Sequence, residues 1–320
     1  MPRPQILLGE SSFDDEATRV LSRVGDVIEF GSMASFRKHL PEADAIVVGL
    51  EISLKRRLLA DAKRLRVVAT RTSRLLHIDM EEISRRRIDV LSNDPLAPAI
   101  RNTTSTAELA MALTLALARH LPWAFDSVKS QRWERSRFSG VELQGKTIGL
   151  IGFGRLGRKM SSFALAFGML PLAFDPHVPA ESFRGAAVEQ TTLDELLMRS
   201  DIVSMHASIP ATEEAILVAE HFRLMKPSAY FINTASGELV DEDALLRALQ
   251  ERQIAGAAID TLRAEEADGS HLHANPLVDY AKLHDNLLLV PHLGGATADA
   301  TVRTQRYIAE RLADYLTASP

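Results

Sequence analysis

Cysteine is absent from the 320 residues of the chain, which excludes disulfide bonds, thiolate nucleophiles and cysteine-based zinc sites. Long apolar runs are also missing, since the most apolar helical stretch, residues 107–118, is interrupted by Thr114 and falls short of the roughly 20 residues of a membrane span. The first residues lead into a strand-like run, 6–8, without the apolar core of a signal peptide. We therefore expect a cytoplasmic protein without a membrane partner.

The chain also lacks a large excess of positive or negative side chains. The chain has 37 Lys and Arg against 42 Asp and Glu, a net charge of −5, which gives no general attraction to nucleic acid. Its basic runs, 55–57 and 85–87, carry no interleaved aromatic residues and have acids nearby, so we interpret them as solvated helix faces. His271 and His273 have no partner at metal-ligand spacing, and we predict no metal site.

Apolar strand-like runs alternate with amphipathic helical segments along the whole chain, a pattern typical of parallel sheets covered by helices. In the first hundred residues the predicted strands are 6–8, 27–30, 45–48, 67–70 and 90–91, and the clearest helices are 54–62 and 80–87. After a proline-containing linker, 93–100, a capping box of Ser105 and Glu108 predicts a long buried helix, either between domains or at a subunit interface. Six more strands follow, at 147–151, 172–174, 202–205, 230–233, 255–259 and 287–290, before a last helix at 298–316.

A glycine pattern lies in the middle of the chain, between the first and second of these later strands. Gly152 allows a tight turn, Gly154 lets the backbone approach a pyrophosphate, and Gly157 packs the following helix on the strand. That helix begins near Arg155 and would point its free N–H groups at phosphates. Asp175, at the end of the next strand, is spaced to bind an adenosine ribose and disfavours a 2′-phosphate. The pattern predicts NAD binding.

Two further segments, 225–242 with FINTASGELVDE at its end and 290–297 with VPHLGGAT, complete a set of three signatures. With them the chain resembles the D-isomer-specific 2-hydroxyacid dehydrogenase family from about residue 65 to its end. The resemblance implies two parallel-sheet α/β domains, Rossmann-like and flavodoxin-like. An NAD domain, 102–291, would be inserted into a split substrate domain, 1–101 plus 292–320. It further implies an active-site cleft between the domains and a homodimer built through the NAD domains.

The same resemblance assigns catalytic roles. His292 would be the acid/base that moves the hydroxyl proton, and Glu265 its carboxylate partner, which favours the protonated imidazole. Asp260 would contact the nicotinamide amide. The remaining residues implied at the cofactor are Arg155, Leu156, His206, Thr234 and Gly295, with a structural cap as the alternative for His206.

Two positions depart from the family pattern. Ser236 stands where the family has a catalytic arginine, and serine cannot make a charged, bidentate contact with a carboxylate. Arg74 stands where the family's carboxylate-binding turn has a glycine. We hypothesise that Arg74 supplies the positive charge that Ser236 lacks.

The sequence thus predicts an NAD-dependent oxidoreductase that interconverts a 2-keto acid and a D-2-hydroxy acid. Because of the missing arginine, two alternatives stay open. The substrate could lack a carboxylate in the usual place, or the protein could be an NAD(H)-binding sensor with little or no dehydrogenase activity. Retention of both His292 and Glu265 favours an enzyme, because a sensor needs neither.

Overall fold

The computed structural model describes residues 2–72, 75, 77–94, 97–208, 214–266 and 268–318. It divides into two compact units. Unit 1 consists of residues 1–103, 266–270 and 297–320, and unit 2 of residues 104–265 and 271–296. Within the described residues, no helix is both long and apolar enough to cross a membrane.

The first part of unit 1 alternates short strands with helices. The strands are β1 (Gln5–Gly9), β2 (Asp26–Ile28), β3 (Ala45–Val48), β4 (Val67–Thr70) and β5 (Asp89–Leu91), and the helices are α1 (Asp15–Val24), α2 (Met33–His39), α3 (Arg56–Leu59), α4 (Met80–Arg85) and α5 (Pro98–Arg101). All five strands are parallel, in the order β2-β1-β3-β4-β5. This is the flavodoxin-like order that the fold prediction named. Every residue of β3 and β4 is buried, as expected for central strands with helices on both faces.

Unit 2 is built around a larger parallel sheet. Its elements are α6 (Ser105–Ala118), α7 (Leu121–Lys129), β6 (Thr147–Ile151), α8 (Arg155–Ala166), β7 (Leu170–Phe174), α9 (Glu181–Arg184), β8 (Glu189–Gln190), α10 (Leu193–Arg199), β9 (Ile202–Met205), α11 (Ala219–Leu224), β10 (Tyr230–Asn233), α12 (Glu242–Gln250), β11 (Gly256–Ile259), α13 (Pro276–Ala281) and β12 (Leu287–Leu289). The strand order is β12-β11-β10-β9-β6-β7-β8. It reverses direction between β6 and β9, which is where doubly wound sheets bind their ligands.

The last helix, α14 (Ala298–Ala318), returns to unit 1 and completes its core. Ile308, Ala309 and Leu312 pack in one cluster with Ile6 and Leu8 of β1. The predicted insertion of one α/β domain into another is therefore confirmed, because unit 1 is assembled from both ends of the chain.

Helix α6 differs from its prediction at its N-terminus. Its N-cap is Thr104, whose hydroxyl donates to Glu108, while the Ser105 hydroxyl is buried and has no hydrogen-bond partner among the described residues, so the predicted capping box is wrong. The helix is buried as predicted, since Ala110 and Leu117 pack in the core of unit 2, and its expected place between domains or at a subunit interface stays a prediction. Small alanine side chains let this helix lie close on its own sheet. Helix α5 overlaps the last three residues of the predicted linker, 98–100.

Candidate active site

The glycine-rich turn follows β6 and opens α8. Gly152 has φ +94°, and a Cβ there would lie 2.5 Å from the backbone nitrogen of Ala207. A Cβ on Gly157 would lie 2.2 Å from the carbonyl oxygen of Gly152, so this glycine is required by packing. A Cβ on Gly154, the N-cap of α8, would meet no atom of the described residues within 4 Å. The open space beside Gly154 is what a pyrophosphate needs, and the residues present fit a bound dinucleotide.

Asp175 lies directly after β7, against the same turn. Its Oδ2 accepts a hydrogen bond from the backbone N–H of Phe153 at 2.8 Å, and its Oδ1 accepts one from the N–H of His177 at 2.9 Å. The partly exposed carboxylate is therefore held in one orientation beside the glycines. Each oxygen keeps a lone pair for a ribose hydroxyl.

His206 lies at the end of β9, underneath the turn. Its Nε2 is 2.9 Å from the Ser204 hydroxyl, and its backbone N–H donates to Ile151 at 2.7 Å. Burial lowers the pKa of His206 to about 4, so the ring is neutral at pH 7. Its Nδ1 has no hydrogen-bond partner among the described residues. Both the structural and the cofactor-facing interpretation of His206 stay predictions.

The other predicted cofactor residues occupy turns of unit 2. Arg155 and Leu156 form the first turn of α8, and Thr234 follows β10 with its hydroxyl buried. Within the part of the chain that the structure describes, a Cβ on Gly295 would meet nothing within 4 Å. Burial lowers the pKa of the Arg155 guanidinium.

His292 and Glu265 form a hydrogen-bonded pair. His292 Nδ1 lies 2.6 Å from Glu265 Oε2, and the side chains are 32% and 29% exposed. Glu265 Oε1 accepts the backbone N–H of Leu262 at 2.8 Å, which orients the carboxylate. Since Nδ1 is bound to Glu265, Nε2 is the ring atom left for a reacting group. The arrangement can move one proton at Nε2.

Asp260 holds the loop that carries this histidine. It lies after β11 with 2% exposure, and its two oxygens accept the backbone N–H groups of Leu293 and Gly294. Burial raises the pKa of the Asp260 carboxyl, while these two hydrogen bonds lower it. The His292 backbone also donates to the Asp260 carbonyl at 2.9 Å, and His292 itself adopts φ 52°. The observed contacts of Asp260 are thus with the loop, and its predicted contact with nicotinamide stays a prediction.

Ser236 is buried, with 1% exposure, in the turn after β10. Its hydroxyl donates to Oε2 of Glu238, and its carbonyl accepts the side-chain N–H of Asn233 at 2.8 Å. A Cβ on Gly237 would lie 2.2 Å from the carbonyl carbon of Leu262, so this turn packs against the one that leads to Glu265. Glu238 was not predicted as a site residue, although it lies inside the segment FINTASGELVDE.

Arg74 lies outside the described residues, so its predicted role stays a prediction. Arg71, in the same segment, is among the described residues, and its Nε lies 2.9 Å from Oε2 of Glu10. Glu10 was not predicted. Glu10 could have been singled out in the sequence as a charged residue directly after an apolar strand.

The chain is similar to several known proteins. The D-isomer specific 2-hydroxyacid dehydrogenase NAD binding domain matches residues 111–294. Hydroxypyruvate reductase of Thermotoga maritima is 33% identical over 306 residues, covering 93% of this chain and 94% of the relative. D-3-phosphoglycerate dehydrogenase of Methanocaldococcus jannaschii is 34% identical over 301 residues, covering 93% of this chain but only 55% of the relative. The chain thus spans about half the length of that relative.

A solved structure is similar over nearly the whole chain. D-lactate dehydrogenase from Aquifex aeolicus, complexed with NAD and lactic acid, has a TM-score of 0.81 at 26% identity and covers 98% of this chain and 96% of its own.

Proposed function

Since the chain belongs to the D-isomer-specific 2-hydroxyacid dehydrogenase family, we propose that it reduces a 2-keto acid to a D-2-hydroxy acid with NADH and catalyses the reverse oxidation. The observation that carries the proposal is the 2.6 Å pair of His292 and Glu265. In the same unit, the turn of Gly152, Gly154 and Gly157 with Asp175 fits a dinucleotide.

The bound cofactor supplies or accepts the hydride. During reduction, His292 Nε2 donates a proton to the keto oxygen, and in the reverse direction it takes the proton of the hydroxyl. Glu265 keeps Nδ1 protonated and stabilises the positive charge of the ring before the transfer. Asp260 keeps the histidine loop in place through two backbone N–H groups. Residues 1–101 with 292–320 would bind the substrate, and residues 102–291 the cofactor.

The substrate carboxylate needs an anchor other than residue 236, because Ser236 is uncharged and its hydroxyl is engaged by Glu238. The segment after β4 carries two arginines, Arg71 and Arg74, and Arg74 is the one at the glycine position of the family's carboxylate-binding turn. The proposed function includes binding of the substrate carboxylate by an arginine of this segment.

A homodimer in the cytoplasm is also part of the proposal. Helix α7 exposes an apolar strip in which Leu121, Phe125 and Val128 are 41%, 64% and 54% exposed, and Trp133 beyond it is 85% exposed. Surfaces of this kind mark protein–protein contacts more often than isolated apolar residues do. Sedimentation velocity of the double variant Phe125→Glu, Val128→Glu should show a monomer where the wild type is dimeric. A wild-type monomer at micromolar concentration would contradict this part.

The enzymatic proposal is tested by NADH oxidation with a panel of 2-keto acids: glyoxylate, pyruvate, hydroxypyruvate and 2-ketobutyrate. We expect turnover with at least one acid and a loss of about 100-fold or more in kcat for His292→Asn, with NADH binding retained. The exposed His177→Asn serves as the matched control. Tight NADH binding without turnover across the panel would favour the sensor alternative instead.

A further inference from the structure

The turn after β10 has no cation at position 236 and carries two carboxylates, Glu238 and Glu242, the second of which also feels the positive charge of Arg263. Glu238 accepts the Ser236 hydroxyl through Oε2, and its Oε1 lies 3.4 Å from the backbone nitrogen of Ala264. Glu242, at the start of α12, accepts the backbone N–H of Arg263 at 2.7 Å. Burial raises the pKa of the Glu242 carboxyl, and the charge of Glu238 adds to the rise. Position 236 therefore supplies no positive charge for an anionic group of a substrate.

Unit 1 contains an arginine that is held in place by a buried carboxylate. Arg71 follows β4, and its Nε donates to Oε2 of Glu10, which follows β1, at 2.9 Å. Gln305 of α14 donates to the same oxygen at 2.8 Å and to the Ser12 carbonyl at 2.8 Å. The side chain of Glu10 is 2% exposed, whereas that of Arg71 is 20% exposed. The carboxylate is thus fixed inside the unit and the guanidinium reaches its surface.

The geometry leaves one side of the guanidinium for a ligand. Because Nε is bound to Glu10, the remaining donors of Arg71 are the two Nη amino groups, and no described residue accepts a hydrogen bond from them. The backbone of Gly49, after β3, lies against the pair, since a Cβ there would be 3.0 Å from Glu10 Oε1 and 3.4 Å from Arg71 Nε. Two parallel Nη donors match the two oxygens of a carboxylate.

A second cation, Lys55, acts at the same edge of the sheet as the pair of Arg71 and Glu10. His77 is buried, with its Nε2 3.4 Å from the Thr70 hydroxyl and its Nδ1 without a hydrogen-bond partner among the described residues. Burial, followed by the charges of Lys55 and Arg71, lowers the pKa of His77 to about 4. At pH 7 the ring is therefore neutral, and the positive charges of Lys55 and Arg71 act at the same edge of the sheet. Such an edge favours an anion.

We propose that Arg71 binds the carboxylate of the 2-keto acid, and that Glu10 and Gln305 are positioning residues that fix its guanidinium. The inference rests on the proposed function, since it names the anchor that Ser236 does not provide. It also places a specificity determinant in unit 1. Substrates with a carboxylate beside the carbonyl should be selected over the corresponding amides.

The first test compares Arg71 variants in the full-length protein, with pyruvate and glyoxylate as probes. For Arg71→Gln we expect KM for the keto acid to rise about 100-fold while KM for NADH stays unchanged, because one charged bidentate contact is lost. For Arg71→Lys we expect a KM for the keto acid between those of the wild type and Arg71→Gln. Added guanidinium should partly restore the activity of Arg71→Ala. The matched control is Arg64→Gln, since Arg64 also pairs with a carboxylate of unit 1, Asp44, at 3.0 Å but is half exposed.

The positioning residues have a separate readout. Glu10→Gln and Gln305→Leu should raise KM for the keto acid about 5- to 10-fold and leave kcat within about twofold, because the guanidinium is retained but less well oriented. A purely structural role would lower the melting temperature of both variants without this split between KM and kcat.

The preference of the wild type for a keto acid over the corresponding amide is a further test, which does not depend on the folding of a variant. Pyruvate should be preferred over pyruvamide by about 100-fold in kcat/KM, and Arg71→Gln should abolish that preference. Equal use of acid and amide by the wild type would overturn the inference. So would a full effect of Arg74→Gln combined with no effect of Arg71→Gln. If the wild type turns over no keto acid, the proposed function has failed, and the anchor is tested by binding of oxamate to the protein–NADH complex. Weaker oxamate binding in Arg71→Gln than in the wild type would support Arg71 as the anchor. Equal oxamate binding in both proteins would overturn the inference.

Discussion

Nδ1 of His292 lies 2.6 Å from Oε2 of Glu265, and the second oxygen of this carboxylate accepts a backbone N–H from Leu262. The histidine is supplied by the turn after β12 and the carboxylate by the turn after β11. Two adjacent parallel strands thus bring an acid/base and its partner together at one edge of the sheet. Because Glu265 is itself anchored, it selects one orientation of the imidazole ring.

Replacing this carboxylate by an amide should impair proton transfer more than binding. For Glu265→Gln we expect kcat to fall about 100-fold, since Gln neither fixes the Nδ1–H tautomer nor stabilises a charged ring, and KM for NADH to stay unchanged. Steady-state kinetics with the best keto acid of the panel measure both parameters. The exposed neighbour Glu266→Gln is the control. An equal loss in both variants would contradict the assigned role of Glu265.

Most of the sheet was predictable because buried parallel strands leave short apolar runs in the sequence. All eleven predicted strand positions contain a strand, whereas β8 gave no signal because Glu189 and Gln190 are both exposed. The cofactor turn was predictable for a related reason: Gly152, Gly154 and Gly157 lie within one strand–helix unit, so their spacing survives in the sequence.

The group around Arg71 could not be predicted in the same way. Its contacts join residues 61 positions apart, Glu10 and Arg71, and 295 positions apart, Glu10 and Gln305. The strand order of unit 1 brings Glu10 and Arg71 together, and the return of the last helix to this unit adds Gln305. The pairing of Ser236 with Glu238 was local, yet it depends on the rotamer of a side chain, which the sequence pattern does not specify.

The two glycines of the cofactor turn should respond differently to one added methyl group. Gly157→Ala places a Cβ 2.2 Å from the Gly152 carbonyl oxygen and should cost about 2 kcal/mol or more in the free energy of unfolding. The methyl group of Gly154→Ala meets none of the described residues within 4 Å, and the variant should keep its stability within about 1 kcal/mol of the wild type. It should nevertheless weaken NADH binding at least about 10-fold, because the methyl group occupies the space of the pyrophosphate.

Urea unfolding and NADH fluorescence titration measure these two effects separately. The comparison is internally controlled, since both variants carry the same substitution three residues apart. Unchanged NADH affinity in Gly154→Ala would mean that the pyrophosphate does not approach this turn.

The carboxylate of Asp175 should set the preference between the two nicotinamide cofactors. Removing its charge in Asp175→Asn should reduce the ratio of kcat/KM for NADH to that for NADPH by about 10- to 100-fold, because the repulsion of a 2′-phosphate disappears. Asn retains one acceptor oxygen, so one of the hydrogen bonds from Phe153 and His177 can persist. The exposed Asp194→Asn is the control for net charge. An unchanged ratio would remove Asp175 from cofactor selection.

Buried His206 should make stability depend on pH. Its pKa is about 4 in the folded state and close to 6.5 when the chain is unfolded, so between these values the unfolded state binds more protons. The stabilisation from keeping this ring neutral is fully present above pH 6.5 and is lost as the pH falls towards 4. At pH 5 the loss amounts to about 2 kcal/mol.

In His206→Gln, residue 206 can no longer take up this proton. The decrease in unfolding free energy between pH 7.5 and pH 5 should therefore be about 2 kcal/mol smaller in the variant than in the wild type, as measured by urea unfolding at both pH values. The exposed His177→Gln should follow the wild-type pH dependence. Parallel curves for the wild type and His206→Gln would show that this ring is protonated in the folded state, and would contradict its burial as a neutral side chain.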